Sequence, residues 1–135
     1  MAKVGTFSAL LIEPVPGERD ARLAAGLTYV TGWGYAIEVP AGYRSDLASI
    51  PKFARLFFER FEFDTAAAAV LHDYLYSTHI TPRWMADALF YDALKSLGSP
   101  LWKRSLMWAA VRLFGGRGWI SDYLEYRRAI AAPGY

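Results

Sequence analysis

The chain has 135 residues, of which 54% are hydrophobic, and this is enough for one domain with a sizeable core. Its formal net charge of +2, from 15 basic and 13 acidic residues, gives no field that predicts binding to nucleic acid or to anionic lipid. The absence of cysteine excludes disulfides, thiolate nucleophiles and cysteine-bound zinc.

Three segments of the first 45 residues predict β-strands. They are Thr6–Ile12, Leu27–Thr31 and Tyr35–Val39, and their β-branched and aromatic residues favour a pleated surface. Gly32-Trp33-Gly34 separates the last two segments and predicts a hairpin turn. The sequence Pro40-Ala41-Gly42 then predicts the end of the sheet.

The rest of the chain has the periodicity and the end signals of helices. Thr81-Pro82 and Ser99-Pro100 each predict a helix start, with a capping hydroxyl followed by proline at the first helical position. Gly98 and Gly115-Gly116 predict helix ends. The predicted helical segments are Lys52–Phe58, Ala66–Tyr76, Pro82–Leu97, Pro100–Phe114 and Ser121–Ala131.

The hydrophobic pattern changes from period 2 to period 3.6 after Pro51. This change predicts a single α+β domain over residues 1–135, in which a small N-terminal antiparallel sheet (1–45) packs on three to four C-terminal helices (46–135). Residues 1–6 lack the apolar core of a signal peptide, and charges interrupt every apolar stretch before the ~20 residues that a membrane span requires. We therefore expect neither a signal peptide nor a transmembrane segment.

One group of polar residues is a candidate for chemistry. His72 lies within a predicted helix, Asp73 follows it, Asp46 lies in the loop after the sheet, and Asp87 lies on the next helix. An antiparallel turn between the two helices would bring Asp87 near His72 or Asp73. Such a group can bind a divalent metal through Asp46, His72 and Asp87, or can act as a general base with an orienting acid.

The same residues also have purely structural interpretations. His72 can be a buried histidine bonded to a loop, and Asp46 can cap the helix that follows it. Asp87 can pair only with Arg83, four residues before it on the same helix face. The chain contains no Gly-rich phosphate loop, no His-Glu-x-x-His motif and no Gly-x-Ser-x-Gly motif, so no reaction class is indicated.

Large aromatic residues are frequent, at 16% of the chain. Either the core is unusually aromatic, or some rings lie on a surface that meets a partner. Tryptophan and tyrosine dominate interface hot spots. The candidates for outward-facing rings are Trp33 in its glycine turn, Trp102 and Trp119 near helix starts, and Tyr135 at the end of the sequence.

Five blocks between Tyr35 and Gly116 resemble, in the same order, a family of small proteins of unknown function found mostly in tailed bacteriophages and prophages. The family pattern has a strand ending in Pro-x-Gly, a Thr/Ser-Asp-x-Ala-Ser-x-Pro loop, a His-Asp-x-Leu-Tyr helix, an Ala-Asp-x-x-Phe helix and a Val-Arg-x-x-Gly ending. The matching blocks are Val39-Pro40-Ala41-Gly42, Ser45-Asp46-Leu47-Ala48-Ser49-Ile50-Pro51, His72-Asp73-Tyr74-Leu75-Tyr76, Ala86-Asp87-Ala88-Leu89-Phe90 and Val111-Arg112-Leu113-Phe114-Gly115.

The resemblance implies a phage or prophage origin and a location in the virion or the host cytoplasm. We expect a structural or accessory protein, such as a tail component, that contacts other phage structural proteins or copies of itself. The alternative is a small metal-assisted hydrolase of a cell-wall or phosphate-ester substrate that uses Asp46, His72, Asp73 and Asp87. The His-Asp doublet also resembles metal-dependent phosphohydrolases, but those need a further upstream histidine, and none precedes His72.

Overall fold

A computed structural model of the chain describes residues 4–16, 21–45 and 65–132. Asp46, the predicted helical segment Lys52–Phe58 and Tyr135 lie outside these residues. In the described part, strands precede helices, which confirms the predicted α+β fold with a β-rich N-terminal part. The elements are β1 Thr6–Phe7, β2 Ile12–Pro14, β3 Ala21–Leu23, β4 Leu27–Val30, β5 Ala36–Val39, β6 Arg44–Ser45, α1 Ala66–Thr78, α2 Arg83–Ser96, α3 Leu101–Phe114 and α4 Gly116–Ala131.

The described strands form two three-stranded antiparallel sheets, with the orders β1-β4-β5 and β2-β3-β6. The predicted hairpin is confirmed, because β4 pairs with β5 and Leu27 lies opposite Val39. Alternate residues of this hairpin are buried, among them Tyr29 and Ile37. The first sheet therefore has one face toward the core, as period-2 patterning predicts.

The prediction of one strand over Thr6–Ile12 is wrong, because this segment contributes to both sheets. Ser8 still bonds to the backbone of Thr28 in the first sheet, whereas Leu11 already accepts a hydrogen bond from Ala24 in the second. The second strand then continues through Pro14, which lies opposite Ala21. Proline is tolerated there because β2 is an edge strand.

The Pro40–Gly42 segment does not end the β-structure. Gly42 adopts a left-handed backbone conformation with φ of 86°. Its N–H donates to the carbonyl of Leu23, and the chain then continues as β6, which pairs with β3. Two- and three-residue strands show no alternation in sequence, so β3 and β6 were not predicted.

The four described helices agree with the helical segments predicted from the sequence, except at the positions where three of them begin. Pro82 and Pro100 are themselves the capping residues of α2 and α3, and the buried hydroxyls of Thr81 and Ser99 make no hydrogen bond to any described residue. The last helix starts at Gly116, five residues before its predicted start at Ser121.

The core joins the sheets to the helices. Helix α1 packs against both α2 and α4, and α2 packs against α3. Tyr29 and Val39 from the first sheet lie in the same buried cluster as Leu71, Leu75 and other helical residues. A search of the described residues finds no helix with the length and apolar character that crossing a membrane requires.

Candidate functional site

The carboxylate of Asp87 lies at the centre of the helical part, with a fully buried side chain. Its Oδ1 accepts hydrogen bonds from Tyr76 Oη and His72 Nε2, both at 2.7 Å. Its Oδ2 accepts one from Arg112 Nη1 at 2.8 Å, and Arg83 Nε lies 4.0 Å from the same oxygen. We call these five residues the Asp87 cluster.

The helix geometry explains how the Asp87 cluster forms. His72 and Tyr76 are four residues apart on α1 and so share one face, with ring centroids 4.2 Å apart. Phe90, on the same face of α2 as Asp87, packs against the His72 ring at 4.6 Å. Arg112 reaches the carboxylate from the last turn of α3. The cluster therefore connects α1, α2 and α3.

Arg83 binds the last turn of α3 more closely than it binds Asp87. Its Nη2 donates to the carbonyl oxygens of Val111 and Arg112, at 2.7 and 2.8 Å, and its Nε donates to Tyr76 Oη. A guanidinium at the C-terminal end of a helix satisfies exposed carbonyls and opposes the negative end of the helix dipole. Arg83 and Arg112 thus hold the same turn of α3.

The environment sets the charge states of the Asp87 cluster. Burial would raise the pKa of Asp87, but hydrogen bonds from His72, Tyr76 and Arg112 outweigh it and lower that pKa below its usual range. Burial lowers the pKa of His72, with Arg83 adding to the effect, against the attraction of Asp87. Near neutral pH, His72 is therefore a neutral imidazole whose Nε2–H donates to an ionised carboxylate.

The structure brings together two of the four predicted catalytic residues. His72 bonds to Asp87, whereas Asp73 points elsewhere and accepts a hydrogen bond from Ser45 Oγ at 2.9 Å. Asp46 lies outside the described residues. Among the residues described, no group of three or more metal-ligating side chains occurs. The guanidinium groups beside Asp87 oppose a second cation there, and the metal site stays a prediction.

Tyr76 and Arg112 are cluster members that the sequence interpretation missed. Tyr76 had a usable signal, because it lies one helical turn after His72. Arg112 had none, because it is 25 residues from Asp87 on a helix whose rotation the sequence alone does not give. Both residues nevertheless belong to the blocks that carried the family resemblance, so separate blocks of that pattern meet at one place in the fold.

The sequence pattern of a family described as a protein of unknown function, DUF1353, matches residues 21–111, which is more than half of the chain. The chain belongs to the DUF1353 family. The match begins at β3 and includes His72, Tyr76, Arg83 and Asp87, and Arg112 directly follows its last residue. Neither the curated proteins nor the solved structures contain a match to this DUF1353 protein.

The predicted interface aromatics of the DUF1353 protein occupy different environments. Trp33, at the tip of the β4–β5 hairpin, is 67% exposed, and Trp102 on α3 is 55% exposed. Trp119 is partly buried, stacked on His79 at 3.6 Å and edge-on to Tyr76 at 5.1 Å. Tyr135 lies outside the described residues. Trp119 therefore holds α4 against α1, whereas the exposed Trp33 is available to a partner.

Helix α3 leaves several large apolar residues exposed, although Met107 and Ala110 of the same helix are buried. Its basic residues turn inward: Lys103 is buried, Arg104 bonds to Tyr91 Oη and the Ser99 carbonyl, and Arg112 bonds to Asp87. Six of its large apolar residues are 41–75% exposed. We call them together the α3 face: Leu101, Trp102, Leu106, Trp108, Leu113 and Phe114.

Proposed function

We propose that this DUF1353 protein works by contact, as a structural or accessory subunit encoded by a phage or prophage, such as a tail or virion component. The observation that carries the proposal is the α3 face. A surface helix normally turns its apolar stripe inward and its charges outward. In α3 large apolar residues are also exposed, which is typical of a helix that a partner covers.

The size of the α3 face supports the same function. Two tryptophans, three leucines and a phenylalanine of this one helix are about half exposed. Large apolar residues exposed in this number on one element often mark a contact surface. Tryptophan at such a surface is a typical binding anchor.

The Asp87 cluster supports this function by fixing how α3 is rotated about its own axis, and so which of its side chains are exposed. Arg112 is drawn inward by Asp87, and Arg83 binds the last-turn carbonyls of the same helix. With its basic side chains held against the molecule, α3 has to turn Trp102, Leu106 and Leu113 outward. A buried polar network of this kind specifies one arrangement of helices when its groups are satisfied.

The phage or prophage part of the proposal rests on the five sequence blocks and is tested on particles. Virions purified from an induced lysogen that carries the gene should contain the chain, detected by mass spectrometry at a constant ratio to the known structural proteins. An otherwise identical lysate treated to remove particles serves as the control. A chain that is absent from particles, and that binds none of the particle proteins in solution, would contradict the proposal.

A second candidate, a small hydrolase of a cell-wall or phosphate-ester substrate, is favoured by one observation. His72 is held by a buried carboxylate at 2.7 Å, is 13% exposed, and makes no hydrogen bond through Nδ1 to any described residue. A neutral imidazole oriented by a carboxylate is the arrangement of a general base. Any turnover of cell-wall fragments or phosphate esters should then be lost in His72→Gln and retained in His79→Gln, and a turnover that His72→Gln retains would exclude this mechanism.

A further inference from the structure

We infer that the outward side of α4 binds an acidic amphipathic helix of a protein partner. The inference goes beyond the proposed function, because it concerns a different helix and a different kind of contact from the α3 face. It commits to one partner chemistry, namely a helix with a carboxylate at each end of a short apolar stretch.

The inner side of α4 is fixed by aromatic residues. Trp119 and Tyr126 pack against the buried core, and the Tyr123 ring stacks on His79 with 4.1 Å between the ring centroids. The three aromatic residues of α4 follow one another at intervals of four and three residues, so they share one side of the helix. The opposite side of α4 is therefore turned outward.

A straight stripe of exposed residues follows this outward side. The residues of the stripe succeed one another at intervals of three, four and four, and we call them the α4 stripe: Arg117, Ile120, Leu124 and Arg128. Ile120 is 62% exposed and Leu124 is 47% exposed. At about 1.5 Å per residue, the stripe is about 16 Å long. It has a guanidinium at each end and two aliphatic side chains between them.

The two arginines of the α4 stripe have no counter-charge among the described residues. Neither guanidinium forms a hydrogen bond or an ion pair there, whereas Arg83 and Arg112 both lie within 4.0 Å of the Asp87 carboxylate. The planar guanidinium group matches a carboxylate and can bind both of its oxygens at once. Each end of the stripe therefore presents unused donors that fit a carboxylate.

The local charge on this side of α4 is positive, although the whole chain has a net charge of only +2. Arg127, next to the stripe, adds a third cation and lies 5.8 Å from the centre of the Tyr123 ring. Glu125 is exposed beside the stripe, whereas Asp122 Oδ2 lies in the first turn of its own helix, 3.7 Å from the Cβ position of Gly118. Three arginines and one glutamate on the outward side attract an acidic partner.

The apolar centre of the α4 stripe decides which acidic partner fits. The phosphate backbone of a nucleic acid would pair with the arginines but would leave Ile120 and Leu124 without apolar contacts. An apolar protein surface would cover these two residues but would remove water from the arginines without replacing their hydrogen bonds. A helix with two apolar residues between two carboxylates satisfies both requirements, as ion pairs do beside the apolar seam of a coiled coil.

A bilayer surface fits α4 less well than a protein helix does. Helices that lie in a membrane interface have a wide apolar face that often includes aromatic residues. In α4 the aromatic side is turned toward the core and α1, and the outward apolar part consists of Ile120 and Leu124 between arginines. The geometry therefore favours a protein partner over a lipid surface.

The test uses a synthetic helical peptide as the partner. Its sequence has glutamate, leucine, leucine and glutamate at intervals of four, four and three residues, which is the α4 stripe in reverse. Its other positions are alanine and glutamine, which favour a helix and carry no charge. A second peptide has lysines in place of the two glutamates. Fluorescence anisotropy of each labelled peptide is measured against the full chain up to about 300 µM, a range that includes weak helix–helix contacts.

The wild type should distinguish the two peptides by charge. We expect a dissociation constant of about 10–300 µM for the acidic peptide and at least about tenfold weaker binding of the lysine peptide. Raising sodium chloride from about 50 to about 500 mM should weaken binding of the acidic peptide several-fold, because salt screens exposed charges.

Charge reversal gives the sharpest comparison. Arg128→Glu should weaken binding of the acidic peptide at least about fivefold. Lys95→Glu is the matched control, because it makes the same charge change at an exposed residue of α2, and it should bind like the wild type. In the double variant Arg117→Glu/Arg128→Glu the preference should reverse toward the lysine peptide, a gain that requires a folded α4. Circular dichroism checks the folding of each variant.

Three results would each overturn the inference: no binding of the acidic peptide by the wild type, equal binding of the two peptides, or a loss in Lys95→Glu as large as in Arg128→Glu. Binding of the wild type to phosphatidylglycerol vesicles or to duplex DNA, lost in Arg128→Glu and without binding of the acidic peptide, would assign this side of α4 to another partner and would also overturn it. The proposed function is tested separately, on particles.

Discussion

At the scale of single residues, Asp87 is the group on which the helical part most depends. In Asp87→Asn the side-chain volume is kept, but Arg112 loses its counter-charge and Arg83 loses a neighbouring one. A hydrogen bond to a charged group contributes about 1.5–3 kcal/mol, and Arg112, a third of whose side chain is exposed, keeps part of its hydration when Asp87 is neutralised. We expect a loss of that size in the free energy of unfolding, measured with urea at pH 7. The exposed-site control Glu125→Gln should change it by less than about 0.5 kcal/mol, and a similarly small loss in Asp87→Asn would contradict the prediction.

His72 should make stability depend on pH in a defined direction. Because burial lowers its pKa in the folded protein, the unfolded chain takes up the proton first as the pH falls. The stabilisation is therefore complete above the ordinary histidine value of about 6.5 and is lost as the pH falls from there toward the folded pKa.

The measurement for His72 is the free energy of unfolding at pH 7.5, 6.5 and 5.5. In His72→Gln the amide can still donate to Asp87 but does not titrate, so the decrease between pH 7.5 and 5.5 should become smaller. The variant itself should be less stable, because it loses ring packing against Phe90. An unchanged pH dependence in this variant would rule out His72 as its source.

At the scale of elements, the joint between α3 and α4 contains a position that should tolerate only glycine. A Cβ on Gly115 would lie 2.4 Å from the Val111 carbonyl oxygen and 2.8 Å from Tyr76 Oη. Gly115→Ala should therefore destabilise by about 1–3 kcal/mol, the usual cost of overpacking. Gly116→Ala is the matched control, because its Cβ would meet only Arg83 Nη1 at 3.9 Å. Thermal melts showing equal effects in the two variants would contradict the steric argument.

The elements that the sequence predicted correctly are those with local signals. The β4–β5 hairpin has a glycine turn between two alternating segments, and α1, α2 and α3 have long periodic patterns. The strands β3 and β6 have two or three residues and exist only through pairing with distant segments. Gly115-Gly116 was predicted to end a helix, but a new helix, α4, already begins at Gly116 and continues through Gly118, where Tyr76 Cδ2 lies 3.9 Å from the Cβ position.

The part of the candidate site that depends on neighbouring helices was predicted from the sequence, and the part that depends on a distant helix was not. The proximity of His72 and Asp87 followed from two antiparallel helices joined by a short connection. The position of Arg112 did not follow, because it depends on the rotation of a third helix. The exposure of Trp102 was predicted, but that of Leu106, Trp108 and Leu113 was not, since a pattern of alternating basic and apolar residues does not say which side faces the core. That choice is made by Asp87, a tertiary partner.

At the scale of the whole molecule, the sheets and helices should unfold as one cooperative unit. Tyr29 of β4 is buried among helical residues and donates a hydrogen bond to Asp92 of α2, and Tyr43 bonds to Ser77 of α1. The slowest amides of β4 and of α1 should therefore exchange hydrogen with the same opening free energy, within about 1 kcal/mol. Exchange in β4 through a much smaller opening free energy would show two separate units and would contradict the single predicted domain.

The inward-turned charges of α3 also have a consequence for temperature and salt. An interface without ions should respond little to sodium chloride, whereas ammonium sulfate should strengthen it. Hydrophobic association weakens on cooling, so a partner bound through this helix should be held less tightly at 4 °C than at 25 °C. Particle proteins should then co-purify with this chain in smaller amounts from a lysate kept at 4 °C than from the same lysate kept at 25 °C.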